Sequence, residues 1–166
     1  MQTRHKIVIS SCLLGNNVRY AGDNKLDRHL IDAFGRFVEW VPICPEVEAG
    51  LPVPREPMQL VADGSRTRLI TIKTQQDRTD LVVRWIEKKL KHLEQEGVRG
   101  FILKARSPNC GIRDAELFSM KGESIGARAG LFAEAVMCCF PLIPVEDEER
   151  LRDPAVRQRF LDRISV

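Results

Sequence analysis

Five cysteines carry most of the chemistry legible in this chain. Cys12, Cys44 and Cys110 stand apart, and Cys138 and Cys139 are adjacent. Five is an odd number, and no pair has the C-x-x-C spacing of a zinc ribbon. Three thiolates fall one short of the four ligands of a closed structural zinc site. They suit an iron–sulfur cluster, which three cysteines can hold while its fourth iron stays open to water or substrate. The plainer alternative is that all three are small buried hydrophobes, a common fate of free cysteine. Cys138 and Cys139 end an apolar segment and read as core packing, though one of them as a fourth ligand would close the site.

The elements around these residues favour their convergence. Residues 6–10, 37–43 and 100–104 are short apolar runs that read as buried strands, and a cysteine follows each of them. Gly15 lies near Cys12, Pro42 and Pro45 flank Cys44, and Pro108 and Gly111 flank Cys110, all residues that shape tight loops. Helical spacing spans residues 26–34, 77–97, 128–140 and the stretch opened by Asp153-Pro154. Residues 45–57 hold four prolines and read as a restrained loop. Residues 59–62 and 68–73 read as a hairpin, and 142–145 as a last strand.

Strands alternating with helices indicate one domain, residues 1–166, of the α/β class. Its expected form is a three-layer fold with a mainly parallel sheet, helices on both faces, and the hairpin as an insertion or antiparallel edge. In such a sheet the strand C-termini share one edge, where ligands bind. Parallel neighbours would therefore bring the three thiols together.

Composition excludes several other classes. With 43% hydrophobic and 30% charged residues the chain is neither fibrous nor disordered. A net charge of +3, with Lys and Arg dispersed, gives no footprint for a long nucleic acid. No apolar run approaches the roughly 20 residues of a membrane span. The first residues, Met1 to Lys6, lack a secretory pattern, so the expected location is the cytoplasm. Oligomeric state is not legible. His5, His29 and His92 show no ligand spacing with the cysteines, and residues 122–126 read as a loop before a helix, with a weaker case for an anion cradle.

Five segments together resemble the thiouracil desulfidase family. They are Ile9-Ser10-Ser11-Cys12-Leu13-Leu14-Gly15, Val18-Arg19-Tyr20-Ala21-Gly22, Pro42-Ile43-Cys44-Pro45-Glu46, Gly50-Leu51-Pro52-Val53-Pro54-Arg55-Glu56-Pro57 and Leu103-Lys104-Ala105-Arg106-Ser107-Pro108-Asn109-Cys110-Gly111. The likeness runs from Ile7 to about Phe140. It implies a [4Fe-4S] cluster on Cys12, Cys44 and Cys110, and removal of sulfur from a small thiolated pyrimidine without net redox change. It also implies acid–base roles for Glu46 and Ser107. The family commonly shows serine where this chain has Asn109, a change that bears on substrate contacts.

The residues themselves leave alternatives beside these roles. Glu46, two residues after Cys44, suits a general base for water attack, and equally a loop carboxylate capping backbone N–H groups. Ser107 suits a proton relay or an ordinary turn residue before Pro108. Arg19 and Tyr20 suit contacts to a planar base or a surface loop. Arg55 and Glu56 suit a local ion pair. Two rival functions stand beside desulfuration: a cluster-dependent lyase acting on a hydroxyl or carboxylate, and a non-catalytic sulfur or cluster carrier.

Overall fold

Strand β1 (His5–Ser10) lies at the centre of the molecule, and Ile7, Val8 and Ile9 are all inaccessible to solvent. Burial on both faces is the mark of an interior strand in a parallel sheet. The computed structural model describes residues 4–166; Met1, Gln2 and Thr3, part of the segment searched for a secretory pattern, lie outside the described residues. β1 pairs in parallel with β2 (Val38–Ile43) on one side and β5 (Gly100–Leu103) on the other. β5 in turn pairs in parallel with β8 (Val145–Asp147), so the order is β2-β1-β5-β8.

The two faces of this sheet collect separate cores, because successive side chains of a strand point opposite ways. Ile7 and Ile9 pack with Leu30 and Phe34 of α1 (Arg28–Phe34) and with Phe160 and Ile164 of α5 (Pro154–Ile164). Phe34 and Phe160 meet edge to face, 5.8 Å between centroids. Val8 and Phe101 face the other way, toward Val82 and Ile86 of α3 (Thr79–Glu96) and Phe132 and Val136 of α4 (Leu131–Cys139). Helices thus cover both faces, giving the three layers expected. Asp27 caps α1 by accepting the Leu30 N–H, and Asp153 caps α5 from the Ala155 N–H ahead of Pro154, as the start signals require.

The hairpin expected near residues 59–73 forms as β3 (Met58–Asp63) and β4 (Arg66–Thr71), but not as an edge of the parallel sheet. It belongs to a second sheet, order β4-β3-β6-β7, completed by β6 (Ala115–Phe118) and β7 (Ser124–Arg128). Residues 122–126, read as a loop before a helix, instead make the turn into β7 and most of that strand. Because Arg128 pairs with Ala115, the following helix starts only at Leu131. The last strand begins at Val145, not 142. Pro141 and Pro144 have no N–H for a ladder, and Leu142 is almost fully exposed. Within the proline-rich loop a single turn, α2 (Pro45–Glu48), directly follows Cys44. No helix among the described residues is long and apolar enough to cross a membrane.

Candidate metal centre

The three strands that precede the lone cysteines are adjacent in the order β2-β1-β5, so their C-terminal loops lie side by side. Cys12 sits in a tight 3-10 turn, Ser11–Leu14, closed by Gly15 at φ +89°, whose N–H reaches the Cys12 carbonyl. A left-handed φ of this kind favours glycine. The Cys12 carbonyl also accepts from the Lys25 N–H, pinning the turn to the next loop.

Cys44 is the N-cap of α2, with Pro45 in the first turn. Its N–H donates to Glu48 Oε2 (2.9 Å), and Lys89 of α3 holds the other oxygen of Glu48 (3.1 Å). Cys110 sits in a turn organised by Ser107, whose hydroxyl oxygen accepts the N–H groups of Asn109 (3.2 Å) and Cys110 (3.1 Å). The carbonyls of Pro108, Asn109 and Gly111 accept N–H groups of Leu131, Ala133 and Gly130. The first N–H groups of α4, which have no partner inside the helix, are thereby used to anchor the cysteine loop.

Cys12, Cys44 and Cys110 line one cavity of about 380 Å³. Cys12 and Cys110 are buried, and Cys44 is partly so. Burial pushes the Cys12 thiol up to about 11, with nearby Lys104 opposing. Burial and the neighbouring Glu46 carboxylate push Cys44 up to about 12. Burial, then Glu46, raises Cys110 as well, and Cys12 and Cys44 add to it, placing all three thiols within one electrostatic neighbourhood. With no metal the site therefore holds three protonated thiols, and a metal group must displace those protons to bind.

The donor set is soft, and among the described residues no three His, Cys, Asp or Glu side chains gather tightly enough to hold a single metal ion. A cluster gives each thiolate its own iron, so its ligands do not have to meet at one point. The three thiols fit such a group. Cys138 and Cys139 play no part in lining the cavity: they sit at the far end of α4, about 12 Å along the helix from its anchored start. Cys139 packs against the core as expected, its thiol donating to Glu94 (3.2 Å). Cys138 does not; the buried stripe of α4 runs through Phe132, Ala133 and Val136, and Cys138 falls on its exposed side.

Glu46 projects from α2 into the site and is almost entirely buried. Its Oε1 accepts from Asn109 Nδ2 at 2.8 Å. Its Oε2 lies 3.4 Å from Cys44 Sγ and 3.9 Å from Arg55 Nη2. Ser107 also lines the cavity; with two N–H groups on its oxygen, its own hydroxyl hydrogen remains to be donated. Arg19 and Tyr20 line the mouth, the guanidinium 5.4 Å from the ring centroid and paired to Asp23.

Asn109, expected among the substrate contacts, is fully buried and does not line the cavity. The turn that turns the Cys110 thiol toward the cavity sends the Asn109 amide behind Glu46. Nor do Arg55 and Glu56 pair with each other. Arg55 turns inward to Glu46 and to the Val18 carbonyl (2.9 Å), while Glu56 accepts from the Thr74 N–H (2.7 Å) and hydroxyl (2.6 Å) across the loop.

Among the site residues missed in the sequence are Arg55 and Lys104; Lys104 lines the cavity and pairs with buried Glu148. Glu148 also accepts the Ala105 N–H (2.8 Å) and so ties the end of β5 to the end of β8. The available signal was a charged residue directly after a fully apolar strand, at the edge where ligands bind.

The profile of the 2-thiouracil desulfurase family matches residues 7–148. The chain is 29% identical over 140 residues to "Uncharacterized protein YbbK" of Bacillus subtilis (strain 168), covering 78% of this chain and 90% of that protein. Among solved structures it is similar to the [4Fe-4S]-dependent thiouracil desulfidase TudS, with a TM-score of 0.67 and 30% identity, over 94% of this chain and 99% of that one.

Proposed function

The chain belongs to the 2-thiouracil desulfurase family, and from that premise we propose that it removes sulfur from a thiolated pyrimidine with a [4Fe-4S] cluster held by Cys12, Cys44 and Cys110. One observation carries the reading: three thiols from three adjacent strand ends line a single cavity, with a buried carboxylate among them. When bound, the cluster supplies an iron with an open coordination position, a Lewis acid that draws electrons from a sulfur attached to carbon.

The reaction replaces C=S by C=O. The oxygen of water bonds to the ring carbon, the bond to sulfur breaks, and both protons of the water end on the departing sulfide. No atom is oxidised or reduced.

The protein's own groups serve the water and the ring. Glu46 Oε2 faces the cavity side and accepts the proton as water attacks, a role worth roughly 10²- to 10⁴-fold for a well-placed base. Arg55 at 3.9 Å keeps a cation beside that carboxylate. Ser107 donates its free hydroxyl hydrogen into the cavity, toward the ring or the departing sulfur. Tyr20, part-exposed at the mouth, offers a flat face for stacking, and Arg19 adds hydrogen-bond donors at its edge. A cavity of this size takes a small molecule, which supports a free base or nucleoside-sized substrate over long RNA. Five free thiols support a reducing compartment such as the cytoplasm as its location.

The test is oxygen-free reconstitution with iron and sulfide, followed by metal and acid-labile sulfide analysis and assays with 2-thiouracil and 4-thiouracil. The expected result is a brown protein of [4Fe-4S] stoichiometry that releases sulfide. Folded, colourless protein carrying stoichiometric zinc would overturn it, as would a loaded protein that frees no sulfide from either base. Glu46→Gln separates catalysis from carriage: a catalyst loses turnover with its iron retained, whereas a carrier is unaffected.

A further inference from the structure

We infer that Asn109 is a positioning residue for Glu46, fixing Oε1 so that Oε2 is the oxygen presented to the reacting water; this deepens the reading above and rests on it.

The two oxygens of Glu46 have different surroundings. Oε1 receives one hydrogen bond, from the amide of Asn109 at 2.8 Å, while Oε2 faces Cys44 Sγ and Arg55 on the cavity side. An amide nitrogen only donates, so Oε1 is held as an acceptor. The opposite orientation of the amide would set its carbonyl oxygen against a carboxylate oxygen, two acceptors face to face.

The amide is carried on a fixed frame. The Pro108 and Asn109 carbonyls are bound by the Leu131 and Ala133 N–H groups at 3.1 and 2.9 Å. Gly130 packs so closely that a Cβ there would lie 2.5 Å from the Asn109 carbonyl carbon. Asn109 is fully buried, and its own Oδ1 is buried without a partner among the described residues. An unsatisfied buried acceptor destabilises a fold. A residue kept for stability alone would not carry that cost, whereas one kept for its donor end would. Asn109 touches neither the cavity nor a reacting atom; it acts through Glu46.

The experiment is a pair of double-mutant cycles on reconstituted protein. Asn109→Asp keeps the shape of the side chain and replaces its donor by an acceptor; Asn109→Ala removes both. In each, kcat for thiouracil desulfuration should fall roughly 10- to 100-fold, the range for groups that orient a reacting residue, with KM and iron content near wild type. Added to Glu46→Gln, either change should cost little more, because the residue through which it acts is already disabled. Equal losses in both backgrounds, or iron lost in step with activity, would overturn the inference.

The second cycle reads the contact without turnover. The Tm losses of Asn109→Ala and Glu46→Ala should be non-additive, and additive losses would also sink the assignment. If fully loaded wild-type protein released no sulfide, the desulfuration reading would fall on that result, and the stability cycle would still decide the contact.

Discussion

Glu46 Oε2 lies 3.4 Å from Cys44 Sγ, near enough to accept the thiol hydrogen. The closeness follows from the chain itself. Cys44 directly follows β2 and caps α2, Pro45 starts the turn, and one residue later a carboxylate points back toward the cap. A negative charge beside a buried thiol opposes its ionisation, which is why Cys44 rises to about 12 once burial has raised it. Without metal the carboxylate accepts the thiol hydrogen; were the thiolate engaged as a ligand, Oε2 would be released for other work.

The ligand assignment predicts a sharp contrast among the five cysteines. Cys12→Ser, Cys44→Ser and Cys110→Ser should each abolish stable cluster binding, read as iron and acid-labile sulfide per chain after oxygen-free reconstitution. Cys138→Ser and Cys139→Ser should load as wild type, since neither lines the cavity. Retention of a full cluster by any of the first three variants, or its loss in either of the last two, would refute the trio.

Arg55 ties three segments together: its backbone N–H reaches the Tyr20 carbonyl (2.8 Å), and its guanidinium reaches the Val18 carbonyl (2.9 Å) and approaches Glu46. Arg55→Ala removes the charged donor from the part-buried Val18 carbonyl and leaves Glu46 without its nearby cation, so it should destabilise by about 1–3 kcal/mol. Turnover should fall as well. Arg55→Lys restores charge but not the planar fork and should recover only part of either loss, measured by thermal unfolding and kcat. Full recovery by lysine would show that charge alone matters.

Acid stability is expected to depend on Asp77. Burial raises its carboxyl, but the Thr79 hydroxyl and N–H and the Arg68 guanidinium outweigh it and hold the group below the ordinary 3.8. Glu56, bound by Thr74, is likewise held below 4.5. Carboxyls depressed in the folded state stabilise it above their unfolded values, and that contribution disappears as pH falls through the lower folded ones. The Tm should therefore decline as pH drops below about 4.5, and Asp77→Asn should flatten the decline. An unchanged slope in the variant would assign the acid sensitivity to other groups.

Much of the parallel sheet was legible because β1, β2 and β5 are short, mostly apolar runs, and β5 is buried throughout. Cys12, Cys44 and Cys110 lie in the segments that follow these three strands, and the order β2-β1-β5 makes those segments neighbours. The second sheet was not legible in the same way. β6 has only four residues, and β7 is mostly exposed and contains Gly126 at φ +140°, so neither shows the alternation of a half-buried strand. Their pairing depends on β3, more than fifty positions earlier in the chain. The partners of Arg55, Lys104 and Asn109 were hidden for a related reason. Each is set by which way a loop side chain turns, and residue type and spacing leave that open.

Gly130 provides a test of the loop's rigidity in which backbone strain plays no part. As the N-cap of α4 it has φ −65°, a value any residue adopts, so alanine there meets only a steric obstacle. That obstacle is severe: the added Cβ would lie 2.5 Å from the Asn109 carbonyl carbon and 2.7 Å from the Asn109 and Pro108 oxygens, which are backbone atoms that cannot swing aside. The start of α4 and the Cys110 loop must separate, weakening the hydrogen bonds from Leu131 and Ala133. Gly130→Ala should lower stability by about 1–3 kcal/mol, as overpacking does. Because the displaced atoms flank Cys110 and carry the amide that holds Glu46, cluster content should fall by more than the loss of folded protein explains. Parallel measurement of iron per folded chain and Tm checks this. Full iron loading at an unchanged Tm would mean that the loop yields freely and does not hold its cysteine in place.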